Sequence, residues 1–159
     1  TFLIFPDYTS FLLFLFLLTS CSPPSYEGNY DEVIQRYTKE GHLYENRLDS
    51  SGYLTQAIYI GEDFSVPSEE LSLLDKKTFY ASTSAFIQLD KLFNQHFSSI
   101  PQDMDLPVED GEVQSLVTLT GEKEEKREGV KASLNGPKEF RDLYVAFNKV
   151  IRDATQPRG

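Results

Sequence analysis

The sequence predicts an α+β fold: a small antiparallel sheet packed with a long amphipathic helical region in a single domain. Three observations support this prediction. Residues 53–60 are rich in β-forming side chains and lie between Gly52 and Gly61. Apolar residues recur at helical spacings over residues 67–98. Residues 113–119 alternate between apolar and polar side chains, as a half-buried strand does.

Composition limits the classes of protein to which the chain can belong. Its 159 residues are enough for about one domain with one hydrophobic core. A formal net charge of −10 repels a phosphate backbone, so we expect no nucleic-acid partner. The single cysteine, Cys21, excludes an intrachain disulfide and any metal site that is built from several cysteines.

The first 21 residues have the pattern of an export signal. Residues 11–18 are an unbroken run of Phe and Leu, followed by the small residues Thr19 and Ser20 and then by Cys21. The run has the length of a signal-peptide h-region and is shorter than the ~20 residues of a membrane-spanning helix. Because no Met or basic n-region precedes the run, we expect residues 1–20 to be a front-truncated signal peptide. The alternative is an uncleaved apolar anchor with a free or buried Cys21.

Residues 18–21, Leu-Thr-Ser-Cys, resemble the lipobox of bacterial lipoproteins. The resemblance implies signal cleavage between Ser20 and Cys21, and lipidation of Cys21 with a diacylglyceryl group and fatty acids such as palmitate. The protein would then be a lipid-anchored component of the cell envelope, on the exported side of the cell membrane or the outer membrane. Ser22 resembles the pattern that favours the outer membrane in Gram-negative bacteria.

After the signal, we expect a lipidated Cys21 with a tether over residues 21–29, and one globular domain over residues 30–159. Pro and Gly keep the tether extended. Residues 30–40 are predicted to be a short helix that ends at Gly41, with three side chains on one face: Tyr30, Ile34 and Tyr37.

The middle of the domain is predicted to be a strand over residues 53–60 and a long helix over residues 67–98. The weak helix formers at residues 82–84 leave open two helices that meet there. On this helical region we expect three buried side chains: Phe86, Leu89 and Phe93.

The last third is predicted to contain two strands, over residues 113–119 and 130–134, joined by an exposed polar connection over residues 121–129. Residues 138–152 fit both a helix and a strand. The helical spacing of their apolar residues fits better, so we predict a helix.

No catalytic or metal-binding pattern is recognisable. His42 follows the predicted helix end, and His96 lies on the apolar side of the long helix, so neither is assigned a catalytic role. The acidic residues 103–112 lack the spacing of a calcium loop, and we interpret them as a solvated loop. The expectation is a protein that is not an enzyme and that needs no cofactor and no metal.

The remaining classes differ in what they would bind. We expect a lipoprotein anchored to the membrane through Cys21 that holds or contacts an envelope protein partner. The alternative is a small-ligand-binding lipoprotein with a pocket between helix and sheet. An envelope hydrolase is the least favoured. A large exposed apolar patch would favour the first class, and a pocket with convergent polar groups the second.

Overall fold

The computed structural model describes residues 26–104 and 111–157. Its strands are β1 (Glu32–Lys39), β2 (His42–Asp49), β3 (Tyr53–Ile60), β4 (Ser72–Tyr80), β5 (Val113–Thr120) and β6 (Lys123–Val130). Its α-helices are α1 (Thr83–His96), α2 (Ala132–Asn135) and α3 (Lys138–Thr155). The strands pair antiparallel in one sheet, so the α+β prediction is confirmed. No helix among the described residues is both long and apolar enough to cross a membrane.

The order across the sheet is β4-β3-β2-β1-β5-β6. The first four strands form a meander. The chain then passes through α1 and returns to add β5 beside β1, on the side opposite β2. Therefore β4 and β6 are the two edges of the sheet, and β1 lies near its middle.

The helix predicted over residues 30–40 is wrong, because these residues contain β1. Glu40 and Gly41 have φ angles of 51° and 76° and form a two-residue turn between β1 and β2. Such a turn needs positive φ at both positions, which matches the twist of the flanking strands. Gly41 thus lies in a turn between two strands and not at a helix end. The helical spacing was misleading because β1 is paired on one side by β2 and on the other by the distant strand β5.

The long helix predicted over residues 67–98 is wrong in its first half, and with it the expected long amphipathic helical region. Residues 68–70 form a 3₁₀ turn, residues 72–80 form β4, and α1 has 14 residues. Ser82 is the N-cap of α1, since its side chain accepts a hydrogen bond from the backbone N–H of Ala85 at 2.9 Å. Residues 82–84, where a junction between two helices was left open, therefore form the start of α1.

The strand predicted over residues 130–134 and the polar connection over residues 121–129 are also wrong. The polar run itself forms β6, which pairs with β5 from Lys123 onward. Charged side chains suit β6 because it is an edge strand, where they discourage pairing with other chains. Residues 132–135 form the short α2 instead. The helix predicted over residues 138–152 is confirmed as α3.

The hydrophobic core lies between one face of the sheet and the helices α1 and α3. Phe86, Leu89 and Phe93 are buried, as predicted. Phe93 stacks on Phe97 with ring centroids 5.9 Å apart and meets the edge of Phe147 on α3 at 6.4 Å. The sheet supplies the facing side chains Val33, Leu48, Leu54 and Leu116.

A row of amide side chains crosses this same face of the sheet. Gln56 donates to Asn46 at 2.8 Å, Asn46 donates to Gln35 at 3.1 Å, and Gln35 donates to Asn148 of α3 at 2.8 Å. Gln35 and Asn46 are buried. This amide ladder satisfies polar groups that would otherwise be costly to bury, and it ties α3 to three adjacent strands.

We predict that Phe93→Ala lowers the free energy of unfolding by about 3–5 kcal/mol, because it leaves a cavity among aromatic rings. Denaturant unfolding followed by circular dichroism measures this change. Val145→Ala, at an exposed site on α3, is the control and should change stability by less than about 0.5 kcal/mol. Equal midpoints for the two variants would contradict the placement of the core.

Candidate functional site

The two residues assigned to lipidation and cleavage, Cys21 and Ser20, lie outside the described residues. Lipidation of Cys21 therefore stays a prediction.

His42 stands at the start of β2, with its Nδ1 atom 2.9 Å from the carbonyl oxygen of Glu40. His96 is the last residue of α1 and is half-buried. Within residues 26–104 and 111–157, no group of three or more His, Cys, Asp or Glu side chains could hold a metal ion. Residues 105–110 of the acidic loop are not described.

The buried carboxylate of Asp90 binds residues 26–30 to α1. It accepts hydrogen bonds from the backbone N–H groups of Asn29 and Tyr30 at 3.0 Å and 2.9 Å. It also accepts from the side-chain amide of Asn29 at 2.9 Å and from the phenol of Tyr26. Asp90 has no exposed surface. The end of the predicted tether, residues 26–29, is thus held against α1.

The contact with Asp90 also changes the acidity of Tyr26. The hydrogen bond to Asp90, burial and the negative charge of Asp90 together raise the pKa of the Tyr26 phenol to about 12. Because the pKa is raised, the contribution of this bond to stability is complete below the ordinary tyrosine pKa, about 10. It is lost only as the pH rises toward 12, so the contact persists at any physiological pH.

The face of the sheet that points away from the helices carries a cluster of ion pairs around Glu45. Arg36 Nε lies 2.7 Å from Glu45 Oε2, and Arg47 Nη2 lies 3.3 Å from Glu45 Oε1. Arg47 also pairs with Glu32, and Arg36 Nη1 lies 3.4 Å from Glu124. We call these five residues the Glu45 cluster. It joins β1, β2 and β6 across the helix-free face.

Glu45 is the centre of this cluster because it is 4% exposed and bonded to two guanidinium groups. Burial works against the charge of Arg47, but Glu45 and Glu32 outweigh it and raise the pKa of Arg47. The charge of a carboxylate with two cationic partners is already balanced within the protein, so such a carboxylate is a poor binding group for an outside ligand. The Glu45 cluster therefore has the chemistry of a structural brace.

A cavity of about 230 Å³ lies beside this cluster, between the sheet and the loop that connects β3 to β4. Arg36, Leu43, Phe64, Ser115, Lys126 and Glu128 line it. Ser115 donates to Glu128 at 2.8 Å, and Lys126 lies 3.4 Å from the same carboxylate. The volume is below the range of about 300–1,000 Å³ that is typical of small-molecule sites. The cavity also lies on the helix-free face, and so is not the expected pocket between helix and sheet.

Exposed apolar side chains concentrate at one edge of the sheet. Among the described residues, eight large apolar side chains are exposed, and five of them belong to β3 or β4. These five are Tyr53, Ile60, Leu73, Leu74 and Tyr80. Tyr53 and Tyr80 form an edge-to-face pair at one end, with ring centroids 5.2 Å apart, and the other three lie at the opposite end. We call this surface the β4 edge.

The charges of the β4 edge lie between its two apolar ends. Asp75, Lys76 and Lys77 are consecutive and exposed. A β-bulge interrupts the pairing with β3 between Ile58 and Tyr59. Bulges and lysines are the devices by which edge strands avoid indiscriminate pairing. The β4 edge thus offers apolar contact area, while its charges and its β-bulge limit which strands can pair with it.

Sequence reasoning missed the β4 edge, because residues 72–80 were assigned to a helix. The signal that could have revealed it is the run Lys-Lys-Thr-Phe-Tyr at residues 76–80, which is richer in β-formers than in helix formers. The Glu45 cluster offered no local signal, since its members come from three strands.

Comparison with known proteins does not extend this description. No known protein family matches the chain, and no curated protein sequence matches it.

We predict that Glu45→Gln lowers the free energy of unfolding by about 3 kcal/mol, because it leaves two partly buried arginines without their shared carboxylate. Glu124→Gln is the matched control. It removes a half-exposed partner of the same Arg36 and should cost less than about 1 kcal/mol. Urea unfolding of both variants measures the difference, and similar losses in the two would contradict a central role for Glu45.

Proposed function

We propose that this protein is a non-enzymatic lipoprotein of the cell envelope, anchored through lipidated Cys21, that contacts a protein partner through the β4 edge. The observation that carries the proposal is the concentration of exposed apolar side chains on an edge strand. An edge strand presents unpaired backbone N–H and C=O groups, to which an extended segment of another protein can add a strand.

The side chains of the β4 edge indicate the chemistry of this partner. Leu73 and Leu74 at one end, and Tyr53 and Tyr80 at the other, would be covered by apolar or aromatic side chains. The central Lys76 and Lys77 favour acidic residues in the middle of the added segment. We therefore propose a partner segment with apolar ends and an acidic centre.

A second copy of this chain is a poorer partner. If two β4 strands paired antiparallel about a two-fold axis, the residue on the axis would face its own copy. With the axis at Asp75, Lys76 or Lys77, like charges would lie directly opposite each other, which is destabilising. β4 also lacks the acidic centre that we propose for the partner segment, so the proposal is a complex with a different protein.

The alternative, a small-ligand-binding lipoprotein, has less support. The cavity beside the Glu45 cluster is small, and the charged side chains at its wall already pair with one another.

A hydrolase has less support still. In the part of the chain that the structure describes, hydrogen bonds from Ser65 and Lys123 lower the carboxyl pKa values of Asp63 and Glu125. A general acid near neutral pH needs the opposite displacement.

We predict that Cys21→Ala moves the protein from the membrane fraction to the soluble fraction or leaves it unprocessed. Two acyl chains, at ~0.8 kcal/mol per buried CH₂, hold a protein on a bilayer where one chain alone is marginal. Fractionation and intact-mass analysis measure the result. A wild-type mass that includes residues 1–20 and no lipid would refute the anchoring.

We predict that the double substitution Leu73→Glu and Leu74→Glu abolishes partner contact, since it removes apolar area and places two negative charges against the apolar end of the partner segment. The measurement is photo-crosslinking from a reactive amino acid at Thr78 of β4 in intact cells. A discrete crosslinked product should disappear in the double variant.

Two controls accompany this experiment. Val145→Glu places a charge on another exposed apolar site, away from the β4 edge, and should leave the crosslink unchanged. A reactive amino acid at Lys126 of β6, the opposite edge, should give no such product. The same product from both edges, or one that survives in the double variant, would contradict the proposed contact surface.

A further inference from the structure

The face of the sheet that carries the amide ladder continues beyond the ladder, toward the turn between β1 and β2. The next row on this face consists of Tyr37, Tyr44 and Ile58, on β1, β2 and β3. Tyr37 and Tyr44 stack with ring centroids 4.8 Å apart and ring planes inclined by 6°. This separation matches the spacing between neighbouring strands, so the two rings stand face to face on adjacent strands.

The stack ends at a place where a third ring would fit. Tyr37 covers one face of the Tyr44 ring, and the other face is directed toward β3, where the same row holds the half-buried Ile58. A flat ring placed one strand spacing further along the row would rest over Ile58, with the open face of Tyr44 against it. We call this position the third-ring slot.

A cavity of about 280 Å³ coincides with the third-ring slot. Its lining residues come from β1, β2, β3 and β4, so the cavity lies on the surface of the sheet and differs from the pocket expected between helix and sheet. The volume is close to the lower limit of about 300 Å³ for small-molecule sites, which leaves room for one ring.

The polar side chains at the rim of the slot are not already paired within the described part of the chain. Asp75 accepts a hydrogen bond there only from the backbone N–H of Lys76. Lys77 has no ion-pair partner among the described residues. Gln56 is oriented by its donation to Asn46, and its carbonyl oxygen accepts no hydrogen bond from a described residue. The rim therefore offers two acceptors and one cationic donor.

This combination suits a neutral sugar. In a pyranose ring whose substituents are all equatorial, both faces carry only C–H groups, whose slight positive charge suits the negative face of a tyrosine ring. Each hydroxyl group on the edge of the sugar can both donate and accept, so neighbouring hydroxyls can bind Asp75 and Lys77 together. A phenyl ring in the same place would cover these two charged groups without binding either, which is unfavourable.

We propose that the third-ring slot binds one unit of a neutral pyranose sugar, stacked on Tyr44 and held at its edge by Asp75 and Lys77. The carbonyl oxygen of Gln56 accepts a hydrogen bond from a further hydroxyl. The sugar lies on the face of the sheet, whereas the partner segment proposed above pairs with the backbone of β4. This site therefore does not depend on lipidation of Cys21 or on that partner.

Saturation-transfer difference NMR of the full-length protein, in a detergent without a sugar headgroup, tests the proposal. The probes are two sugars with equatorial substituents, methyl β-D-glucopyranoside and methyl N-acetyl-β-D-glucosaminide. We expect the ring C–H protons of at least one probe to receive saturation from the protein. Para-cresol represents the aromatic side chain of a protein in the same slot. Binding of para-cresol without binding of either sugar would overturn the proposal, and so would binding of no probe.

Two substitutions locate the binding. Ile58→Trp places an indole ring in the slot and should abolish saturation transfer, although it removes none of the polar groups. Tyr44→Leu removes the aromatic face and should weaken sugar binding at least about fivefold. Tyr59→Leu is the matched control, since Tyr59 follows Ile58 on β3 and lies on the opposite face of the sheet, and it should leave the affinity unchanged.

Circular dichroism checks that each variant is folded as the wild type is. Sugar binding that survives Ile58→Trp in a folded protein would overturn the proposal. Equal weakening by Tyr44→Leu and Tyr59→Leu would do the same, because it would show that the stacking face is not the contact.

Discussion

The carboxylate of Asp90 is the contact on which the arrangement of this protein depends. Asp90 belongs to α1, and its carboxylate accepts hydrogen bonds from the segment that precedes β1. It therefore joins the helical layer to one of the two central strands of the sheet. An ionisable group buried in this way is tolerated only while its donors remain in place. The same contact fixes residues 26–30 against α1.

The sequence predicted some elements of the fold well, and the reason is that their signals are local. The strand over residues 53–60, the strand that became β5 and the helix α3 all have a period that can be measured along the chain. β1, β4 and β6 were missed because their identity is decided by pairing. β6 is almost wholly polar and forms a strand because β5 offers it a ladder, and a polar edge strand has no apolar period to detect.

The candidate functional surfaces divide in the same way, into those with a local sequence signal and those that depend on contacts between distant residues. Lipidation of Cys21 is a prediction that depends on four consecutive residues, so it could be made without a structure. The Glu45 cluster could not, since Arg36, Glu45 and Glu124 belong to strands brought together only by the sheet. Asp90 lies between these two cases, since the sequence shows the unusual residue but not its partners. A single carboxylate among the spacings of Phe86, Leu89 and Phe93 was a visible exception on an apolar face, but nothing local identified the amides that it binds.

The amide ladder has a consequence for how this sequence can vary. Each interior member both donates to one neighbour and accepts from another, so replacing Gln35 or Asn46 alone would break two hydrogen bonds and leave a buried amide partner unsatisfied. Apolar replacement of the whole ladder would leave none. Substitutions at these four positions should therefore be strongly non-additive. A related chain should change them together or keep them all, even though Gln56 and Asn148 lie more than ninety positions apart in the sequence.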